Sequence, residues 1–167
     1  MEIRKARKED LEQIRNIYAQ WYTDESTGKP SEEDISYFTK KIEDAISKTE
    51  ASLQSDYYCL VAENEKGKII GILGLRKPHH KLLPFTTTTN AMEIYSLFAL
   101  ERNMGVGRAL VHTLKNTAAI KKYKEIIVLS ANRWKESWPF YDALSFERIG
   151  TLAESNGKYS QLWHILI

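Results

Sequence analysis

The sequence predicts a mixed α/β domain of the α+β kind: a largely antiparallel central sheet of about seven strands, flanked by about four helices. Three observations carry that expectation. Short apolar runs alternate with stretches of helical periodicity in the order β-α-α-β-β-β-α-β-α-β-β. Two turn signals, Asn64-Glu65-Lys66-Gly67 and Asn156-Gly157, join neighbouring runs as antiparallel hairpins. Glu125 to Ser130 is nearly all apolar, as a strand covered on both faces would be. It follows a helix, so the sheet contains one parallel crossover.

Taken in order, Glu2 to Ala6 alternates around Ile3 and forms the first strand. Residues 8 to 22 place Leu11, Ile14, Tyr18 and Trp21 at helical spacing. Asp24 to Pro30 is a loop. Ser31-Glu32-Glu33-Asp34 nearly matches a capping box and opens a second helix. Its buried face is Ile35, Phe38, Ile42 and Ile46, and it ends near Thr49. Tyr57 to Glu63 and Lys68 to Lys77 are the strands of the first hairpin. Pro78 to Asn90 is a long loop with His79, His80 and four consecutive threonines, a length that points to function. Met92 to Ala99 is a strand. The next helix continues to about Lys121 and buries Val106, Ala109, Leu110, Leu114 and Thr117. Trp134 to Leu144 is a short helix with Pro139 in its first turns. Phe146 to Leu152 and Tyr159 to Ile167 close the chain as strands.

A chain of 167 residues fits one domain, residues 1–167. A formal charge of +2 argues against nucleic acid as a partner. No apolar stretch approaches the ~20 residues of a membrane span. The N-terminus is charged from Glu2, unlike a secretory signal. A lone cysteine, Cys59, excludes an internal disulfide and offers no metal cluster, so a reducing cytoplasm is the expected location. His79 and His80 lack further ligands at metal-binding spacing.

The chemistry centres on Arg102-Asn103-Met104-Gly105-Val106-Gly107-Arg108. Two glycines between a strand and a helix let the backbone turn tightly and expose N–H groups at the positive end of a helix dipole. That is a cradle for a phosphate or pyrophosphate. Position 110 is Leu, so the dinucleotide fingerprint with its third Gly is absent. The Gly-Lys-Ser/Thr of a P-loop is absent too. Arg108 is either a phosphate contact or a solvated surface residue.

The same residues meet every fixed position of the signature of GNAT-type acyl-CoA N-acyltransferases: Gln or Arg, two variable residues, Gly, one variable residue, then Gly or Ala. Ile3-Arg4-Lys5-Ala6 with Glu9-Asp10-Leu11 is similar to that family's first strand and helix, and Phe140-Tyr141-Asp142-Ala143-Leu144-Ser145-Phe146 resembles its last helix, with Ser145 in a place usually held by Gly. The resemblance covers the whole chain. It implies that Arg102 to Arg108 hold the pyrophosphate of coenzyme A, that Leu97, Phe98 and Ala99 offer backbone hydrogen bonds to the pantetheine arm, and that Asn132 touches that arm. It implies acetyl-CoA as co-substrate, with no metal, and a small-molecule or peptide amine as acceptor. Glu93 is the candidate general base, against an exposed strand-end carboxylate. Tyr141 is the candidate general acid for the leaving thiolate, against a core tyrosine. Trp21, Tyr22, His79 and His80 are candidates for the acceptor pocket. The acidic stretch around Asp24, Glu25 and Glu32 to Asp34 is either complementary to a cationic amine or a solvated face. A binding or sensing module of the same fold, without turnover, is the alternative, and exposed strand edges leave a homodimer open.

Overall fold

In the computed structural model, which describes residues 1–51, 56–117 and 122–167, the elements follow the expected order. They are β1 (Glu2–Lys5), α1 (Leu11–Trp21), α2 (Glu32–Ala51), β2 (Tyr58–Glu63), β3 (Ile69–Arg76), β4 (Ala91–Ala99), α3 (Val106–Asn116), β5 (Glu125–Ser130), α4 (Trp138–Ala143), β6 (Glu147–Ala153) and β7 (Tyr159–Leu166). The seven strands form one sheet in the order β1-β2-β3-β4-β5-β7-β6. β1 with β2, β2 with β3, β5 with β7 and β6 with β7 run antiparallel, while β4 and β5 run parallel across the α3 crossover. The chain divides into two compact units, Met1–Leu75 with Ser96–Leu114, and Arg76–Tyr95 with Lys115–Ile167.

In the first unit, Ile14, Ile17 and Tyr18 of α1 and Ile35 and Ile42 of α2 are fully buried, as are Val61, Ile72 and Leu73 of the sheet. Arg4 explains the opening motif. Its guanidinium makes two 2.8 Å bonds to Asp10 and one of 2.7 Å to Glu63. It thereby ties β1 to the turn before α1 and to β2. That turn, Lys8–Asp10, is 3-10, so α1 begins later than the periodicity suggests. Asp10 accepts the Arg7 N–H at 2.8 Å and is thus committed to capping. Gly71 of β3 lets α3 approach the sheet: a Cβ there would lie 2.5 Å from Cγ1 of Val106.

In the second unit, Leu82, Ile127 and Leu162 are enclosed with Phe85, Leu129, Ile149 and Leu152 against them. The Pro78–Asn90 loop is ordered by a 3-10 helix, His80–Phe85. It lines an open cleft of about 430 Å³ with Pro78, Leu83, Ala91 and the four threonines.

Three further helices differ from the sequence reading in their bounds. α2 runs to Ala51, past Thr49. α3 stops at Asn116, before Thr117, because Asn and Thr are poor helix formers; residues 118 to 121 of the expected extension lie outside the described residues. On α3, Val111 is buried and Ala109 only half-buried. The expected 134–144 helix is a 3-10 segment, Asn132–Ser137, followed by α4. Pro139 lies in the first turn of α4, where its missing N–H has no intrahelical acceptor to leave empty.

Candidate active site

The cradle lies in the first unit. β4 ends at Ala99, and the turn of residues 101–105 is exposed throughout. Asn103 and Gly105 both take left-handed backbone conformations, with φ of 63° and 74°. Asn tolerates this by hydrogen-bonding locally, and Gly has no Cβ to object. Alternating left-handed residues turn successive N–H groups toward one side, the geometry of an anion nest. α3 starts immediately afterwards, and the Ala109 N–H bonds the Gly105 carbonyl at 2.9 Å. The N–H groups of the first turn, Val106, Gly107 and Arg108, precede that bond and have no intrahelical acceptor. No heavy atom other than the chain neighbours lies within 4 Å of where a Gly105 Cβ would be, so the backbone there is open to a ligand.

Leu97, Phe98 and Ala99 are half-buried. The parallel register with β5 pairs Ala91 to Ile94 with Glu125 to Val128. β4 runs on beyond that register through Tyr95 to Ala99. This run of strand is long enough to hydrogen-bond an extended ligand as an added strand does.

Trp21 and Tyr22 are also in this unit. The Trp21 indole N–H donates to the Ala99 carbonyl at 2.7 Å, and the Arg102 guanidinium carbon lies 4.9 Å from the centre of its ring. Gln20 donates to the Leu100 carbonyl at 2.5 Å. Tyr22 is buried, stacked on Phe38 with ring centres 4.4 Å apart and tilted against Phe98 at 5.3 Å. Fully buried Tyr18 joins this cluster and shares a 2.7 Å hydrogen bond with Ser96 of β4. No local sequence pattern links Tyr18 to Ser96, which lie 78 positions apart in the chain. The carboxylates near Tyr22 have local work. Asp24 caps Ser26 and Thr27, and Glu32 pairs with Arg15.

The second unit holds Glu93, Tyr141, Asn132, His79 and His80. Glu93, third in β4, is not an exposed strand-end carboxylate; it is 4% exposed. Its Oε2 accepts from Arg76 Nε at 3.0 Å and from the His79 N–H at 2.9 Å, and its Oε1 accepts from Arg76 Nη2 at 2.9 Å. Oε1 thus carries one donor against two on Oε2 and has the more acceptor capacity left. The His79 ring accepts from the Lys81 N–H at 3.4 Å and lies 4.1 Å from the ring of His80; both histidines are exposed. Partial desolvation, then the neighbouring His80 and Arg76, hold the His79 pKa below the ordinary imidazole value.

Tyr141 is buried on α4, with its ring 5.3 Å from Phe140, 6.0 Å from Phe146 and 4.9 Å from Trp163. Burial pushes its hydroxyl pKa upward, so the O–H stays protonated and available as a donor. The cap of α4 fixes its backbone. The Phe146 N–H bonds the Tyr141 carbonyl and the Ser145 N–H bonds the Asp142 carbonyl, both at 3.1 Å. Ser145 sits left-handed, φ 64°, which completes a Schellman motif. Asn132 opens the 3-10 segment before α4. Its N–H donates to Glu154 at 2.7 Å and its amide to the Tyr159 carbonyl at 3.3 Å.

One buried group escaped sequence reading. Glu125, at the start of β5, is fully buried and accepts the Thr87 and Thr88 N–H groups at 2.8 and 3.0 Å, and bonds His164 Nδ1 at 2.8 Å. Burial opposes its ionisation, but the His164 bond and the Thr87 and Thr88 donors outweigh it and hold its pKa below the ordinary value. A carboxylate at the head of an apolar run had no visible partner in the sequence. Among the described residues, no group of three or more His, Cys, Asp or Glu side chains could hold a metal.

A largely antiparallel sheet whose one parallel crossover opens on a glycine turn and a helix N-terminus defines the class of fold, a mixed α/β domain. A family model described as an acetyltransferase (GNAT) domain matches residues 3–163, and the chain belongs to that family. No curated protein matches the sequence significantly. Among solved structures, the chain is similar to a ribosomal-protein-alanine N-acetyltransferase from Brucella melitensis, with 21% identity over 100% of both chains and a TM-score of 0.70. It is similar to the PaiA N-acetyltransferase from Thermoplasma acidophilum in complex with coenzyme A, with 18% identity over 99% of this chain and 98% of that one, TM-score 0.70. It is similar also to a GNAT phosphinothricin acetyltransferase from Sinorhizobium meliloti in complex with AcCoA, with 19% identity over 99% and 88%, TM-score 0.65. At these identities the likeness is one of fold.

Proposed function

We propose that the protein, as one catalytic domain, is an N-acetyltransferase that moves an acetyl group from acetyl-CoA to a primary amine on a small molecule or peptide. The observation that carries this reading is the exposed nest of Asn103 and Gly105 at the start of α3, directly after β4. The family membership and the CoA and AcCoA complexes of the two neighbours above support it.

In this reading the N–H groups of the turn and of the first α3 residues, with Arg102 and Arg108, hold the diphosphate of coenzyme A. Leu97 to Ala99 pair with its pantetheine arm, and Asn132 adds a contact there. The Ala99 carbonyl is already engaged by Trp21, so the pairing falls on the other groups of that run. Acetyl-CoA supplies an activated thioester, and acceptor and donor bind together. A primary amine is protonated near neutral pH, with a pKa of about 10.4 for a lysine-like group, and must lose a proton to attack. Glu93 Oε1 takes it, directly or through a water. The nitrogen then forms its bond to the carbonyl carbon while a β4 N–H near Phe98 holds the developing oxyanion. The C–S bond breaks as Tyr141 gives its proton to the departing sulfur, and the second proton on the nitrogen passes through water to the tyrosinate, leaving the neutral amide and the free thiol. His79 and His80 stand beside Glu93 on the acceptor side.

Thiol release from acetyl-CoA across a panel of amines tests this. Tyr141→Phe is expected to lower kcat about a hundredfold, the scale of one lost acid–base partner. Glu93→Gln is expected to do the same, the scale of one lost proton acceptor. If both variants turn over at the parent rate, the assignment of roles fails. Coenzyme A binding without thiol release for any amine would favour a sensing module.

A further inference from the structure

We propose that Trp21, the last residue of α1, is a positioning residue for the diphosphate cradle: it fixes the end of β4 and holds the Arg102 guanidinium in place. The inference rests on the reading of the cradle as a coenzyme A site.

Three contacts carry it. The Trp21 N–H takes the carbonyl of the last β4 residue, Ala99, at 2.7 Å. The neighbouring Gln20 takes the next carbonyl, of Leu100, at 2.5 Å. The indole face then lies under Arg102, the first residue of the glycine turn, at 4.9 Å. Two consecutive side chains of α1 therefore fasten two consecutive carbonyls, and the ring reaches one step further along the same segment. α1 can do this because its other face is anchored, with Ile14, Ile17 and Tyr18 fully buried.

The turn needs such a support. Residues 101–105 are exposed, and two of them hold left-handed conformations. An exposed segment with little packing of its own opens easily. A long arginine at its start samples many rotamers, and ordering it on a ligand costs binding free energy. A guanidinium held over an indole ring loses that freedom before the ligand arrives. The ring contact is a cation–π one, whereas oxyanions are bound through the N–H fork of a guanidinium. Trp21 thus contributes to diphosphate affinity without touching the diphosphate, and this use of the indole needs no acceptor molecule.

The test is calorimetric binding of coenzyme A to the full chain, with a double-mutant cycle. Trp21→Leu removes both ring and N–H and is expected to weaken binding roughly tenfold; Trp21→Phe keeps a ring and is expected to weaken it about threefold. In an Arg102→Ala background, Trp21→Leu is expected to weaken binding further by only about threefold, the share of the lost N–H to Ala99, because the group the ring orients is gone. The KM for the amine is expected to stay at the parent value. Additive effects of Trp21→Leu and Arg102→Ala overturn the proposal. So does a rise in amine KM at unchanged coenzyme A affinity, which would return Trp21 to the acceptor pocket. A parent protein that binds no coenzyme A removes the functional reading and this inference with it, whereas parent binding with additive variants removes this inference alone.

Discussion

Ser145 shows how one residue supports a catalytic candidate at a distance in the chain. It stands at the left-handed C′ position of α4, with φ 64°, where a side chain costs roughly 1 kcal/mol or more that glycine avoids. The cap it completes holds the Tyr141 carbonyl through the Phe146 N–H. Ser145→Gly is therefore expected to stabilise the fold by about 1 kcal/mol, part of which is offset by the greater freedom of glycine in the unfolded chain. Chemical denaturation reads this as a higher midpoint at constant slope. A midpoint that does not rise would mean that the serine hydroxyl compensates its own strain. The motif around Tyr141 made this position legible, since the sequence pattern already marked residue 145 as a glycine site. The surroundings of Glu93 were not legible. Arg76 lies on the preceding strand and the His79 N–H in a loop, and only folding brings both to one carboxylate.

Among the elements, α3 and β3 depend on Gly71. The helix that opens the cradle packs where β3 has no side chain, and a Cβ at that position would meet Val106 Cγ1 at 2.5 Å and Leu110 Cδ1 at 3.1 Å. Val106 is β-branched and 4% exposed, so it has little freedom to move aside. Gly71→Ala is expected to cost about 1–3 kcal/mol, the usual penalty of overpacking. It should also weaken coenzyme A binding, because Val106 is the first residue of α3 and shifts with it. A variant with parent melting temperature and parent affinity would show that α3 adjusts freely. The elements themselves were legible where periodicity was strong. α2 was found from Ile35, Phe38, Ile42 and Ile46, and the β2–β3 hairpin from its apolar runs and Gly67. The misjudged boundaries fall at short-range chemistry that hydrophobic spacing does not register. Asp10 turned the start of α1 into a 3-10 turn, and Pro139 with the residues before it divided the last helix.

For the molecule as a whole, the acid side of the stability curve follows from carboxylates in both units. Asp10 in the first unit, and Glu125, Asp142 and Glu154 in the second, all have pKa values below their ordinary ones. Asp142 is held at about 2 by Arg148 and the Trp163 N–H. Such a group stabilises the fold in full above its unfolded pKa, about 3.9 for Asp and 4.3 for Glu, and loses that contribution as pH falls through the folded value. Between those limits the unfolded chain binds more protons than the native one, so stability must fall with falling pH. Of the four, Glu125 is fully enclosed, and loss of its charge weakens the bonds it accepts from two backbone donors of the threonine loop. Glu125→Gln cannot be protonated in this range. It is expected to be less stable than the parent at neutral pH but to lose stability less steeply between about pH 5 and pH 2, by up to about 1.4 kcal/mol per pH unit where the difference in bound protons is one. Denaturation midpoints at a series of pH values give both slopes. Parallel curves for parent and variant would show that Glu125 does not titrate on unfolding, and the acid sensitivity would then belong to Asp10, Asp142 and Glu154.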